Sequence, residues 1–171
     1  MLTAAILGLT LAATTVHASL VHPEAVDQAE VMRAASVILV VEPADPPLRV
    51  VDDGVVHDEP CAYGVSRFVV RERVKAPDGI ATVGEIMEIA PADFELYCAM
   101  NQAYERGDPV PSPIIPEYHG ERQPPATGLR IIYLSASGAG PWRFAISNAW
   151  DPTDELEALK KRLATPTPHV E

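Results

Sequence analysis

Seventeen of the 171 residues are proline, and they fall between the apolar and periodic segments. Proline has no amide hydrogen and a fixed φ, so it interrupts helices and is confined to strand ends, edges and turns. A chain punctuated this often has little room for long helices. The segments left between the prolines are mostly of strand length, which predicts a mainly β protein.

Two of these segments are apolar with little alternation: Ser36-Val37-Ile38-Leu39-Val40-Val41-Glu42 and Leu129-Arg130-Ile131-Ile132-Tyr133-Leu134. Apolar character of that kind marks a strand covered on both faces. Tyr63–Lys75 interleaves Val65, Phe68, Val69, Val70 and Val74 with Arg67, Arg71, Arg73 and Lys75; its parity changes near Phe68-Val69, predicting a bulge or bend. Pro77-Asp78-Gly79 turns the chain into a return strand over 82–89. Residues 142–148 alternate and place Trp142, Phe144, Ile146 and, beyond them, Trp150 on one face. Pro43, Pro46 and Pro47 are expected to end the first apolar strand. Asp53-Gly54, between Arg49-Val50-Val51-Asp52 and Val55-Val56-His57-Asp58, is the strongest hairpin signal in the chain. A two-residue turn there sets Val51 opposite Val56 and Arg49 opposite Asp58.

Three helices are expected. The first covers 24–35 behind Pro23, and the second is Phe94–Arg106, N-capped by Asp93 and closed by Gly107. The third follows Asp151 as N-cap and Pro152 at the first helical position, with Leu156, Leu159 and Leu163 as its buried stripe and Glu157–Lys161 as an i,i+4 pair. The proline-rich stretch 108–127 reads as a long loop, and long loops are where functional excursions concentrate.

The first 18 residues carry no charged side chain and end in Val16-His17-Ala18, the pattern of a secretory leader. Their apolar run is shorter than the about 20 residues a bilayer span needs. The expected organisation is a leader over 1–18, one domain over 19–164 and a tail over 165–171. The formal net charge of −11 repels nucleic acid and anionic lipid surfaces and argues against both as partners. The leader holds no cysteine to carry a lipid anchor, so a free, monomeric protein, secreted or periplasmic, is expected. In such an oxidising compartment Cys61 and Cys98, the only cysteines, are expected to form a disulfide worth about 3–4 kcal/mol in the chain-entropy model.

The segments Ala35-Ser36-Val37-Ile38-Leu39-Val40-Val41, Phe68-Val69-Val70-Arg71-Glu72-Arg73-Val74-Lys75, Thr82-Val83-Gly84-Glu85-Ile86 and Gly128-Leu129-Arg130-Ile131-Ile132-Tyr133-Leu134-Ser135 follow one another in an order that resembles secreted bacterial netrin-module or tissue-inhibitor-of-metalloproteinase-like domains. The resemblance implies a mainly β (α+β) fold: a five-stranded OB-like Greek-key barrel with an inserted hairpin and flanking N- and C-terminal helices. Inhibitors of that family chelate a protease zinc through an N-terminal cysteine. Cleavage after Ala18 exposes Ser19 here, which supplies no such chelate.

Asp52, Asp53, His57, Asp58 and Glu59 form the densest ionisable cluster, but the hairpin register brings at most two of them together, fewer than a metal site needs. His119 is the other candidate base; Ser112 and Ser137 are its only paper partners, and no strand-to-helix elbow presents either serine. Gly138-Ala139-Gly140 precedes a strand instead of a helix and reads as a hairpin turn, not a phosphate loop. The resulting expectation is a non-enzymatic binding module for an extracytoplasmic protein or ligand, with no cofactor and no metal. An apolar groove is expected beside 108–127 or 48–58. The alternative is a hydrolase or metal-dependent enzyme using His57 or His119.

Overall fold

The computed structural model describes residues 22–52, 54–56, 58–110, 113–119, 124–136 and 141–165. The elements run in the order β1 (His22–Ala25), α1 (Gln28–Ala34), β2 (Val37–Val51), β3 (Val55–Val56), β4 (Glu59–Pro60), β5 (Tyr63–Lys75), β6 (Ile86–Ala90), α2 (Phe94–Arg106), β7 (Ile114–Glu117), β8 (Arg130–Ser135), β9 (Trp142–Phe144), β10 (Trp150–Pro152) and α3 (Leu156–Ala164). The expected leader 1–18, the 137–140 turn and the tail beyond 165 lie outside the described residues, as do Ser19, Asp53, His57, Ser112 and Ser137.

β2, β5 and β6 form an antiparallel meander, β9 runs parallel to β6, and β8 pairs antiparallel with both β9 and β2. That last pairing closes a five-stranded barrel of OB-like topology. β10 extends the sheet outside the ring along β8. β1 and β7 make a separate parallel pair.

β8 shows why its sequence is apolar on both sides. Ile132 and Leu134 face the barrel interior with Val37, Leu39, Val41, Phe68, Val70, Met87, Ile89 and Trp150. Ile131 and Tyr133 face outward into a second core with Val31, Ala35, Ile38, Val40 and Leu159. The period of two sorts one strand between two cores, and the helices cover the outer one. In α3, Leu159 is buried, while Leu156 and Leu163 pack half-buried against that core. A third cluster, Val56, Cys61, Val65, Ala90, Phe94 and Cys98, lies under α2.

α2 and β5 keep their expected bounds, and Gly107 closes α2 in the left-handed region at φ 74°. Cys61 and Cys98 are joined by a disulfide with Cα atoms 5.8 Å apart, within bridging geometry.

Other elements depart from expectation. β2 continues through Pro43, Pro46 and Pro47 to Val51. The prolines are tolerated because β8 pairs with β2 only as far as Val41, leaving one side of β2 without a ladder beyond that point. Residues 44–47 bulge out opposite Arg67, whose guanidinium donates to the Pro46 carbonyl at 2.9 Å. This also corrects the Asp53-Gly54 hairpin. Val51 pairs with Tyr63 and Arg49 with Val65, while Val55-Val56 turns back on Glu59-Pro60. The ladder along β5 continues the barrel sheet and outweighs a local turn preference; Arg49 bonds Glu88 at 2.6 Å.

At the N-terminal side, Glu24 and Ala25 belong to β1, and Asp27 caps α1 by accepting from the Glu30 amide at 2.9 Å. β6 starts at Ile86, because Thr82 and Glu85 close a turn around Gly84. The 108–127 stretch contains β7, and the expected strand over 142–148 stops at Phe144. Lys160, not Lys161, meets Glu157, at 3.4 Å, and it also reaches Glu72 on β5 at 2.8 Å.

Two substitutions test this packing. Replacing Cys61 and Cys98 together by serine is expected to cost about 3–4 kcal/mol in urea unfolding. Leu159→Ala is expected to cost about 2–5 kcal/mol.

Candidate functional site

The barrel interior opens at one end into a cleft of about 270 Å³. Its floor and walls are Phe68, Ile132, Phe144 and Trp150; Pro91, Ala92 and Pro124 line it as well. Phe68 and Phe144 meet edge to face with centroids 6.3 Å apart, the arrangement that aligns ring edge and face favourably. Ser66, Ser147, Asn148 and Arg130 supply the polar lining. Asn148 holds φ 57° in the left-handed region, and its amide donates to Glu117 Oε1 at 2.7 Å. Asparagine is one of the few side chains that accept this backbone conformation readily.

Arg130 is the unusual member. As the first residue of β8 it shares the barrel-interior face with Ile132 and Leu134, and it is 5 % exposed. Its guanidinium lies 5.6 Å from the Phe68 ring centroid, a cation–π contact, and one terminal nitrogen donates to the Pro125 carbonyl. Its buried Nε meets no acceptor among the described residues. Burial pulls its pKa below the usual arginine value.

A second cluster lies behind Trp150. Asp151, in β10, is fully buried (0 % exposed). Its Oδ1 accepts from the Tyr118 hydroxyl at 2.9 Å, and its Oδ2 accepts from Gln28 Nε2 at 2.7 Å and from the Tyr133 hydroxyl. His119 Nε2 lies 3.0 Å from Oδ1, and the His119 ring stands 5.2 Å from that of Trp150. The expected role of Asp151 as a helix cap is thereby corrected. Its carboxyl group is taken up by these donors, so Pro152 stays in β10 and a 3-10 turn over Thr153–Glu155 leads into α3.

Burial, followed by the hydrogen bond to Asp151, pushes the Tyr133 and Tyr118 hydroxyls well above the ordinary tyrosine pKa. Asp93, at the N-terminal end of α2, forms no side-chain cap and instead accepts from Ser147 Oγ at 3.3 Å.

The sequence candidates fall elsewhere or apart. Asp52, Asp58 and Glu59 are exposed, and Glu59 pairs with Arg106 at 2.7 Å. Among the described residues no three His, Cys, Asp or Glu side chains converge as a metal site. His119 finds a carboxyl partner in Asp151. The aromatic stripe divides: Trp142 and Trp150 serve the interior core, Ile146 the outer one, and Phe144 packs against both. Pro124 brings the 108–127 stretch to the cleft. Arg130 was readable in principle, since a period of two already sets it on the face of Ile132 and Leu134.

No family model, no curated protein and no solved structure matches this chain.

The Asp151 cluster makes stability depend on pH with a defined sign. A hydroxyl whose folded pKa exceeds its unfolded value of about 10 contributes stability below that value and loses it as pH rises. Stability from urea unfolding is therefore expected to fall progressively above pH about 10. Tyr133→Phe is expected to cost about 1–3 kcal/mol at neutral pH, because Asp151 loses a donor. Tyr118→Phe combined with Tyr133→Phe should flatten the alkaline decline; an unaltered decline assigns it to other groups.

Proposed function

We propose that this protein is an extracytoplasmic, non-enzymatic binding module whose ligand site is the cleft at the barrel mouth. The observation that carries the reading is the composition of that cleft: four large apolar side chains around a few polar groups, at the open end of a barrel. Among the described residues lining it there is no His, Asp, Glu, Lys, Cys or Tyr to act as acid or base, which supports binding over catalysis. The Cys61–Cys98 disulfide is compatible with an oxidising compartment, and the uncharged stretch 1–18 supports export. No helix among the described residues is long and apolar enough to cross a membrane. The charge of −11 supports a partner other than nucleic acid. Kinship with netrin-module domains is part of the proposal, supported by the barrel topology and the flanking α1 and α3.

The His119–Asp151 contact favours the competing hydrolase reading, in which Asp151 would orient a His119 base. Against it, His119 does not line this cleft, and its Nε2 is engaged by the buried carboxyl group.

A thermal-shift screen of small organic molecules tests the proposal, run on the native chain and on Ala92→Trp, which fills the rim. A ligand at a hundred times its Kd is expected to add about 2.7 kcal/mol to the native chain, and Ala92→Trp should lose that gain. A screen without stabilising compounds, or gains that Ala92→Trp retains, would count against the cleft. Ester or amide turnover abolished by His119→Ala would favour the hydrolase.

A further inference from the structure

Resting on the binding reading above, we propose that the ligand is a small organic monoanion, a carboxylate on an apolar body, anchored by Arg130. A guanidinium taken out of water carries a heavy desolvation penalty, and proteins ordinarily offset that with a carboxylate. Arg130 is 5 % exposed and has no carboxylate partner among the described residues; what it has is a backbone carbonyl and the face of Phe68. Its buried Nε, with no acceptor among the described residues, belongs to a side chain that lines the cleft. A planar carboxylate is the group whose geometry matches the guanidinium fork.

The surroundings narrow the ligand further. Phe68, Ile132, Phe144 and Trp150 would be left against an ion's hydration shell by inorganic phosphate, so an apolar body must accompany the charge. A volume of about 270 Å³ admits on the order of ten non-hydrogen atoms, taking roughly 30 Å³ for each water-sized group. One cation among the described lining residues, in a chain of net charge −11, suits a single negative charge, since the outer field opposes multiply charged ligands. Two carboxylates close to the lining, Asp93 and Glu117, are engaged by Ser147 and Asn148. Pro91 and Ala92 precede the first turn of α2, whose positively polarised amides add to the same field.

The test compares charged probes with neutral isosteres on the full-length native chain: phenylacetate and hexanoate against phenylacetamide and hexanamide, by calorimetric titration and tryptophan fluorescence. The carboxylates are expected to bind about 10- to 100-fold more tightly than their amides, the range for a hydrogen bond to a charged group. Arg130→Gln should erase that advantage, bringing acid and amide to about the same affinity. Should Arg130→Gln fail to fold, the comparison on the native chain stands, with Ala92→Trp reporting whether the cleft is the site. Equal affinity for acid and amide, both lost in Ala92→Trp, would overturn the anion and leave the cleft reading standing. Acetate or inorganic phosphate binding as tightly as phenylacetate would also overturn it, by removing the apolar body. No binding of any probe would overturn this proposal, while the broader screen above judges the cleft separately.

Discussion

A carboxyl group with no access to water has to be satisfied by the protein itself, and that obligation at Asp151 organises the outer half of this molecule. Its partners come from widely separated parts of the chain: Gln28 on α1, Tyr118 and His119 after β7, and Tyr133 on β8. Gln28 also accepts from Arg162 on α3, so both flanking helices meet at one point on the sheet. Hydrophobic burial alone would let α1 and α3 slide over the apolar outer face. A shared buried polar partner fixes where they stop.

The same strand pairing links this cluster to the cleft. Trp150 and Asp151 are neighbours on β10, so one faces the interior core and the other faces the donors. On β8, Arg130 and Tyr133 likewise have opposite parity, and each carries the polar group of its own face. The proposed ligand cleft and the buried Asp151 cluster thus lie on opposite faces of strands paired at fixed register.

Much of the fold was legible in the sequence where one signal decided the outcome alone. β5 and α2 matched because alternation, a helix stop at Gly107 and the surrounding turns agreed. Asp53-Gly54 misled because a turn preference is local, whereas pairing of β2 with β5 across 48–51 is sustained by the whole sheet. Asp151 misled for a related reason: Asp-Pro before a leucine stripe is a good cap signal, and the tyrosines that claim the carboxyl group lie far away in sequence. The cleft was legible only as an expectation of a groove near 108–127, because its walls come from β5, β8, β9 and β10 and converge only when the barrel closes.

The position of the disulfide has one further consequence. Cys61 precedes β5 and Cys98 lies within α2, so the covalent ring encloses the second and third barrel strands whole. A peptide bond hydrolysed anywhere inside that ring leaves two ends but a single molecule. The barrel is therefore held together there by a tether that outlasts its own backbone.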